Sequence, residues 1–567
     1  MPMVIRWYGD RQHYSAWVEA HDTLTDQDRY TIRERIGRLD RSPLFSIVLL
    51  PTADAALSVP DAVVASVHGH LYPHWELWLP EGLGTADADR RLRRSQRTAD
   101  HASHFNAAVA AADGAFIVPL PADTMLSESA LYELAVEIER HPDVDLLYTD
   151  EDCLDASGSR FWPHFKTGWD PDLALGRDAI GRLAVYRRSV LDQINGLRPL
   201  ADDTDLVLYD LSLRFAFATS PARIRHVPVV GCHRLVNAPP GWNAAGARDI
   251  VRQLIVEQGV GARVIPAPLA PMWNRLLREL PDPLPLVSII VPTRDRPELL
   301  ARCTDAVLSR TDYPNIELLI VDNDSEEPAA VRLLARLSRD PRVRIVRYSG
   351  RFNYAAQNNR AAREARGDIL VLLNNDTDVI HSDWLREMVS HAVRTDVGAV
   401  GAKLLYADGR VQHAGVVLGP GRAAVHQLRL ADRLDAGPTG ELALTRTVSA
   451  VTGACLALRR SVFFEVGGLN EELRVAYNDI DLCLRLGDHG YRVVWTPFAE
   501  LYHLECASRG YDDSLQKRAL ASNELTYFCR FWNSLLDTDP FHNPNVLYGW
   551  ENTILSTPPR RTRAWLV

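Results

Sequence analysis

The sequence predicts an α/β protein built from two tandem, related domains, each with a largely parallel sheet, followed by a helical tail. Three observations predict it. Short apolar runs of strand length recur, each ending in a polar turn, with helical segments between them. The same series of such runs occurs twice, in the same order. At 567 residues the chain is also too long for a single core, so two or three domains are expected.

Bulk composition narrows the class. The chain is 46% hydrophobic and 24% charged, as an ordinary globular protein is. A net charge of −10 argues against nucleic-acid binding, which needs a basic field. Residues 1–10 carry Arg6 and Asp10 and no apolar core, so no signal peptide is expected there, and no apolar run is long enough for a spanning helix. The seven cysteines are scattered, without a Cys-x-x-Cys, which fits a reducing cytoplasm better than a zinc ribbon or a disulfide framework.

In order, residues 1–43 read as a polar lead-in. Residues 44–279 read as a first α/β domain, opening on the strand-like run Phe45–Leu50 before Pro51-Thr52. Leu280-Pro281-Asp282-Pro283-Leu284-Pro285 cannot continue a helix and reads as a stiff linker. Residues 286–510 read as a second domain, opening on Val287-Ser288-Ile289-Ile290-Val291-Pro292-Thr293. Residues 511–567 read as a tail with helical periodicity at its start. Its basic end, Arg560 to Trp565, has two readings, a contact with an anionic membrane surface or a solvated terminus.

The repeat is explicit. Tyr72-Pro73 echoes Tyr313-Pro314, Phe105-Asn106 is matched with Phe352-Asn353, Gly114 superposes on Gly367, and Leu211–Arg214 echoes Leu482–Arg485. The offset drifts from about 240 to about 270 residues, as loop insertions in a duplicated unit produce.

The chemistry is concentrated in the second half, at predicted strand ends, where open α/β sheets bind ligands. Ile369–Leu373 is a continuous apolar run that breaks into Asn374-Asn375-Asp376-Thr377-Asp378. Two carboxylates one residue apart offer hard oxygen ligands to a divalent cation that also holds phosphates, although a lone Asp-x-Asp is more often a solvated turn. Thr293, Asp322-Asn323-Asp324, Asn353, Asn359, Tyr477-Asn478-Asp479-Ile480-Asp481, His503 and Ser508-Arg509-Gly510 stand at the other breaks. Each has a bland alternative: a capping turn at Asp322, a core histidine at His503, a surface loop at Arg509. Gly419-Pro420-Gly421-Arg422-Ala423-Ala424 fits a loose dinucleotide pattern but lies deep inside the domain, away from its first strand.

These ordered motifs, from Ser-Ile-Ile-Val-Pro-Thr through Asn-Asp-Ile-Asp-Leu-Cys-Leu-Arg to His503, resemble a family 2 inverting glycosyltransferase of the GT-A fold over about residues 286–510. The resemblance extends to tandem forms that build bacterial surface polysaccharide such as O-antigen. It implies a nucleotide diphosphate sugar donor, UDP- or dTDP-linked, a Mg²⁺ or Mn²⁺ ion, and a glycan or lipid-linked glycan acceptor at the cytoplasmic face of the inner membrane. By position, Asp376, Asp378 and His503 resemble the metal and diphosphate ligands, and Asp479 the general base. Asp481 competes with Asp479 but is also placed to brace its helix. Thr293, Asp322, Asp324, Asn353, Asn359, Asp376 and Arg509 resemble the donor-binding set.

The first half reads as a worn copy. Asp123 stands opposite Asp376, Met125 opposite Asp378, Glu81 opposite Asp322 and Leu208 opposite Asp479. A leucine takes no proton, so this half is expected to be non-catalytic, binding acceptor or bracing its neighbour. Asp150-Glu151-Asp152 is read as a polar hairpin in preference to a metal site. Two further readings stay open: two active sites making an alternating polymer, or a glycan-binding scaffold with no active site.

Overall fold

The computed structural model describes residues 11–50, 61–81, 89–95, 100–200, 203–236, 241–419, 422–504, 514–536, 538–548 and 553–566. The first half holds β1 (Phe45–Leu50), β2 (Trp75–Pro80), β3 (Leu92–Ser95), β4 (Phe116–Pro121), β5 (Thr124–Leu126), β6 (Leu146–Leu154), β7 (Arg160–His164), β8 (Ala184–Arg187) and β9 (Ile224–Leu235). They form one sheet in the order β3-β2-β1-β4-β8-β6-β9-β5, with β7 beside β6. A hairpin of β10 (Ala262–Ala267) and β11 (Ala270–Arg278) follows.

The second half begins with β12 (Val287–Thr293), β13 (Ile316–Asp322), β14 (Val343–Arg347), β15 (Ile369–Leu373), β16 (Thr377–Val379), β17 (Val397–Leu405) and β18 (Val411–His413). It continues with β19 (Val416–Gly419), β20 (Arg422–His426), β21 (Arg446–Thr447), β22 (Cys455–Arg459) and β23 (Arg492–His503). Its sheet runs β14-β13-β12-β15-β22-β17-β23-β16, with β18 beside β17 and β21 beside β23. Strand for strand this is the order of the first sheet, so the tandem α/β architecture expected from the repeats is present. Each sheet has a parallel four-strand run and a second parallel pair, β6–β9 and β17–β23. Antiparallel ladders arise where β8 and β22 are inserted between them.

The apolar runs are continuous because helices cover both faces. In the second sheet Ile290, Leu319, Leu370 and Leu372 enter one core, whereas Ile289, Val291, Leu318, Ile320 and Val371 enter the other, as the two-residue period of a strand requires. The same buried polar device fixes the first strands of both halves. Ser46 Oγ donates to Glu76 Oε1 (2.6 Å) and accepts from Gly114 N–H (2.9 Å); Ser288 Oγ donates to Glu317 Oε1 (2.6 Å) and accepts from Gly367 N–H (2.8 Å). A Cβ on Gly367 would lie 2.6 Å from Ser288 Oγ, which is why glycine stands at both positions.

This geometry corrects one sequence match. Asn106 exchanges hydrogen bonds with the backbone of Leu197 (2.9 and 2.9 Å), and Asn359 does the same with Leu469 (2.8 and 2.9 Å). Asn106 is therefore the counterpart of Asn359, not of Asn353. A helix-internal asparagine and a helix-capping one look alike in sequence, and only the packed turn separates them.

The halves meet through charge. Asp172, on the short helix Pro171–Gly176 of the first half, accepts from Arg278 (2.9 Å), Arg394 (2.8 Å) and Arg492 (2.9 Å). Asp170, the N-cap of that helix, also accepts from Thr447 N–H (2.6 Å) and Thr447 Oγ1 (3.0 Å) of the second half.

The tail begins with the helix Leu515–Leu536 on the second half, then crosses to the first. Asp539 accepts from Leu418 N–H and Ser449 Oγ, whereas Asn543 donates to both oxygens of the buried Asp150 (3.0 and 2.8 Å). The antiparallel pair β24 (Val546–Tyr548) and β25 (Thr553–Leu555) follows. The basic end is docked rather than solvated: Arg561 pairs with Asp22 (2.9 Å), Arg563 with Asp28 (3.4 Å), and buried Trp565 donates to Asp28 (2.6 Å). These partners lie in and beside the helices Arg11–His21 and Asp26–Ile36, so the charges offered to a membrane in sequence are spent within the chain. Among the described residues no helix is long and apolar enough to cross a membrane.

Candidate active site

The candidate residues gather at the strand ends of the second sheet, around residues 452–454. Asn374 N–H donates to Ala454 O (3.0 Å), which holds the end of β15 against this loop. On one side lie Asp376 and His503. His503 Nε2 is 3.3 Å from Asp376 Oδ1 and 3.3 Å from Asn374 Nδ2, and His503 Nδ1 is 2.8 Å from Gln412 Oε1. Gln412 Oε1 at Nδ1 and Asn374 Nδ2 at Nε2 match the tautomer that carries its proton on Nδ1. Nε2 and a carboxylate oxygen then face one another as two acceptors, the arrangement a cation between them satisfies. Asp376 is 4% exposed, so the pair sits in a low-dielectric setting. The donor set therefore fits a divalent ion whose remaining ligands come from outside the protein. Among the described residues no group of three His, Cys, Asp or Glu side chains forms a complete metal cage. The neighbouring Cys303, with Sγ 3.5 Å from Asn374 O, is pushed up to about 12 by burial and is a thiol, not a thiolate ligand.

The structure does not bring Asp378 to this pair. Asp376 lies in the turn before β16, and Asp378 lies within that strand, opposite Tyr502. The turn breaks the two-residue period that would have put both carboxylates on one face. Asp378 is instead paired with Arg302 (2.6 Å) and with Arg310, in and just after the helix Pro297–Ser309. The sequence reading of Asp376 and Asp378 as joint metal ligands is corrected accordingly. Asn374 and Gln412, given no role from sequence, take its place in the site. Asn374 stood in the motif; Gln412 carries no sequence signal, because only the β17–β18 pairing brings it near.

Asp479 lies on the other side of the loop. Its Oδ2 accepts from Gly453 N–H (2.8 Å) and its Oδ1 from Ile480 N–H (2.9 Å). The preceding Tyr477 holds a left-handed backbone, φ 63° and ψ −1°, a conformation that costs a non-glycine residue roughly 1–3 kcal/mol and persists where packing enforces it. Tyr354 donates its hydroxyl to Gly453 O (2.8 Å), and burial and the Asp479 carboxylate push that phenol well above its usual range. Asp481 is a bracing residue: it holds Arg485 (2.8 Å), which in turn binds Gly468 O (2.7 Å), and it accepts from Trp532 Nε1 (3.0 Å). Asp210 and Arg214 repeat that brace in the first half at 2.7 Å, with Leu208 where Asp479 stands.

The other named residues line the β12–β13 edge. Thr293 Oγ1 accepts from Asn375 (3.0 Å). Asp322, fully buried at the end of β13, accepts from Ser325 N–H (3.1 Å) and pairs with the exposed Arg347. Asp324, at φ 54°, accepts from Ser349 Oγ (2.9 Å). Asn353 is the N-cap of the helix Tyr354–Glu364, accepting from Ala356 N–H (3.0 Å). Asn359 clamps Leu469, as described above. Arg509 lies outside the described residues. Gly419 ends β19, and Arg422 opens β20, so the dinucleotide-like segment leads into a strand where that pattern needs a helix.

The equivalent place in the first half is filled by arginine. The register pairs Thr377 with His503 and Thr124 with Arg234, so Arg234 occupies the histidine position. Arg187 and Arg459 are likewise equivalent, and counting back equally from them sets Arg182 against Ala454. Arg182 binds Asp123 (2.5 Å) and Asp205 (2.6 Å), and Arg234 binds Asp123 (3.2 Å) and Asp205 (3.2 Å). Asp123, the match of Asp376, is thus neutralised by protein cations. Asp150, Glu151 and Asp152 are each held by internal partners, among them His226, Lys166 and His233.

The family model for glycosyl transferase family 2 matches residues 288–467, which contain most of the second sheet. The uncharacterized protein y4gI of Sinorhizobium fredii is 39% identical over 552 residues, covering 93% of this chain and 60% of that protein. The O-antigen biosynthesis protein RfbC of Myxococcus xanthus is 38% identical over 565 residues, covering 94% of this chain and 42% of that protein. The chain thus spans less than two thirds of either relative. Among solved structures, the mannosyltransferase PcManGT of Pyrobaculum calidifontis, in complex with GDP-Man and Mn²⁺, aligns with a TM-score of 0.33 and 23% identity over 43% of this chain and 64% of that one.

Proposed function

From the premise that this chain belongs to glycosyl transferase family 2 through its second domain, we propose that it moves a sugar from a UDP- or dTDP-linked donor to a hydroxyl of a glycan or lipid-linked glycan, with inversion. The observation that carries the reading is the convergence of Asp376 and His503 on one side of residues 452–454 with Asp479 on the other. Asp479 takes the proton of the acceptor hydroxyl, a weak nucleophile at neutral pH. Asp376 and His503 would hold a divalent ion, which would supply charge neutralisation to the departing diphosphate. An imidazole donor suits Mn²⁺ better than Mg²⁺, which prefers oxygen. Thr293, Asp322 and Asp324 take the nucleoside side, with Asn353 and Asn359 shaping the adjoining turn. Arg509 and Asp378 are assigned to the diphosphate end, Asp378 through Arg302 and Arg310. Surface-polysaccharide assembly is the setting that the resemblance to an O-antigen biosynthesis protein supports.

In this reading the first domain is non-catalytic and braces the second. Its support is the absence of a base at Leu208 and the arginine pair on Asp123. The test is nucleotide-sugar turnover across a donor panel with Mn²⁺, then with chelator. Release of one nucleoside diphosphate, lost on chelation and restored by Mn²⁺, is the expected result; turnover indifferent to chelation would remove the metal from the scheme.

Calorimetric titration of the same protein is expected to give one metal–nucleotide site per chain, abolished in His503→Ala and unchanged in Arg234→Ala. Two equivalents would establish the alternating-polymer alternative, and none the scaffold alternative. Leu208→Asp is expected to leave the turnover rate where it was, because that half has no donor site to serve.

A further inference from the structure

The turn that presents Asp479 is tied to its own domain at Arg474 O, which accepts from Tyr354 N–H (2.8 Å), and at Ile480, which enters the core of the second sheet. A second set of contacts comes from the tail helix Leu515–Leu536. Glu524, Phe528 and Trp532 recur every four residues and so form one stripe on that helix. Each meets the segment 474–481. The Glu524 carboxylate, 3% exposed, accepts the backbone N–H groups of Arg474 (2.9 Å), Val475 (3.2 Å) and Ala476 (2.8 Å). Phe528 stacks on the left-handed Tyr477, with centroids 5.1 Å apart and planes at 22°. Trp532 donates to Asp481 (3.0 Å).

The first domain shows what this replaces. There the equivalent helix starts at Thr204, and its own N-cap, Asp203, accepts from Leu206 N–H (3.2 Å). Superposing Leu208 on Asp479 aligns residues 203–205 with 474–476. The second domain's helix begins only at Asn478, so the turn that is helical or self-capped in the first domain is unwound in the second. Its exposed N–H groups are taken by a carboxylate from elsewhere in the chain. The turn is thus fixed to the tail helix by its N–H groups and by Tyr477, two residues before Asp479, whose Oδ2 accepts from Gly453 N–H.

We propose that Glu524 is a positioning residue for the transfer reaction: the tail helix clamps the unwound turn 474–477 so that Asp479 faces the acceptor hydroxyl. The proposal rests on the reading of Asp479 as the base. The experiment is steady-state kinetics on the full chain for Glu524→Ala, Glu524→Gln and Asp479→Asn, with Mn²⁺ and the nucleotide sugar that wild type turns over fastest in the donor panel. Glu524→Ala is expected to lower kcat about 100-fold, the effect of misplacing a catalytic group by an ångström, with the donor KM within about two-fold of wild type. Glu524→Gln keeps an acceptor oxygen and is expected to recover roughly ten-fold of that loss. Calorimetric Mn²⁺–nucleotide binding is expected to be unchanged in both. The double variant Asp479→Asn/Glu524→Ala is expected to be no slower than Asp479→Asn, because one group acts through the other.

A Glu524→Ala kcat within two-fold of wild type overturns the proposal, as does a loss carried equally by donor binding. Should Glu524→Ala fail to fold, Glu524→Gln decides by the same criteria, with an expected loss of about ten-fold. If Asp479→Asn stays active, the base assignment fails and takes the proposal with it. If Asp479→Asn is inactive and the Glu524 variants are not impaired, the positioning proposal alone fails.

Discussion

Asp479→Asn is expected to lower kcat by about 10³-fold while leaving the donor KM within about two-fold of wild type. The amide keeps the size of the carboxylate and an oxygen to accept from Gly453 N–H, now 2.8 Å from Oδ2. What it loses is the capacity to take a proton. The effect should therefore appear in turnover and not in Mn²⁺–nucleotide binding, which the proposed function assigns to Asp376 and His503, 3.3 Å apart across the loop. Asp481→Asn supplies the contrast. That carboxylate is already committed to Arg485 and Trp532, so its loss is expected to lower stability and affect turnover only through folding. Melting curves beside kinetics for the two variants separate the roles. Equal kinetic losses in well-folded Asp479→Asn and Asp481→Asn would sink the assignment.

Asp172→Ala is expected to destabilise the protein by about 3–5 kcal/mol, the cost of removing one partner from a buried ion cluster. Three guanidinium groups, Arg278, Arg394 and Arg492, converge on this carboxylate, and two come from the second domain. Without it Arg278 loses its carboxylate, and Arg394 and Arg492 keep the half-exposed Asp396 (3.1 and 2.6 Å) while facing Arg278 unscreened. Urea unfolding followed by tryptophan fluorescence checks the figure. Arg38→Ala, which breaks the exposed Glu34–Arg38 pair, serves as the control expected to stay within about 0.5 kcal/mol of wild type.

The same cluster carries a pH signature. Burial raises the Asp172 carboxyl, but Arg394, Arg492, Arg278 and His391 outweigh it and hold the group well below the usual carboxylate range. A depressed folded value means the stabilisation is complete above the unfolded value of about 3.9 and is lost as pH falls below it toward the folded value. Its neighbour Asp170 is shifted the other way, raised by burial and by Asp172 itself, so acid relieves a cost at Asp170 while removing a gain at Asp172. The expected net result is interdomain weakening that begins below about pH 4 in wild type and is absent from Asp172→Ala.

Much of this protein is legible in its sequence because duplication and strand chemistry leave local marks. Continuous apolar runs such as Ile369–Leu373 demand cover on both faces, and polar breaks after them mark the binding edge of a sheet. The glycines at 114 and 367 and the Asp-x-x-x-Arg pairs at 210–214 and 481–485 locate the two copies. Leu208 opposite Asp479 marks the copy without a carboxylate at that position. All of these are properties of a residue and its near neighbours.

The tertiary structure decided everything that depends on which distant groups converge. Asp376 and Asp378 are one residue apart, yet a turn sends one to His503 and the other to Arg302 and Arg310. Arg182 and Arg234 neutralise Asp123 only because β8 and β9 bring them there. The basic end of the tail found Asp22 and Asp28 at the opposite end of the chain, and Glu524 found the backbone of Arg474–Ala476. A sequence records which charges and hydrogen-bonding groups exist. Their partners are set by long-range strand order and by the desolvation that makes an unpaired buried group too costly to leave.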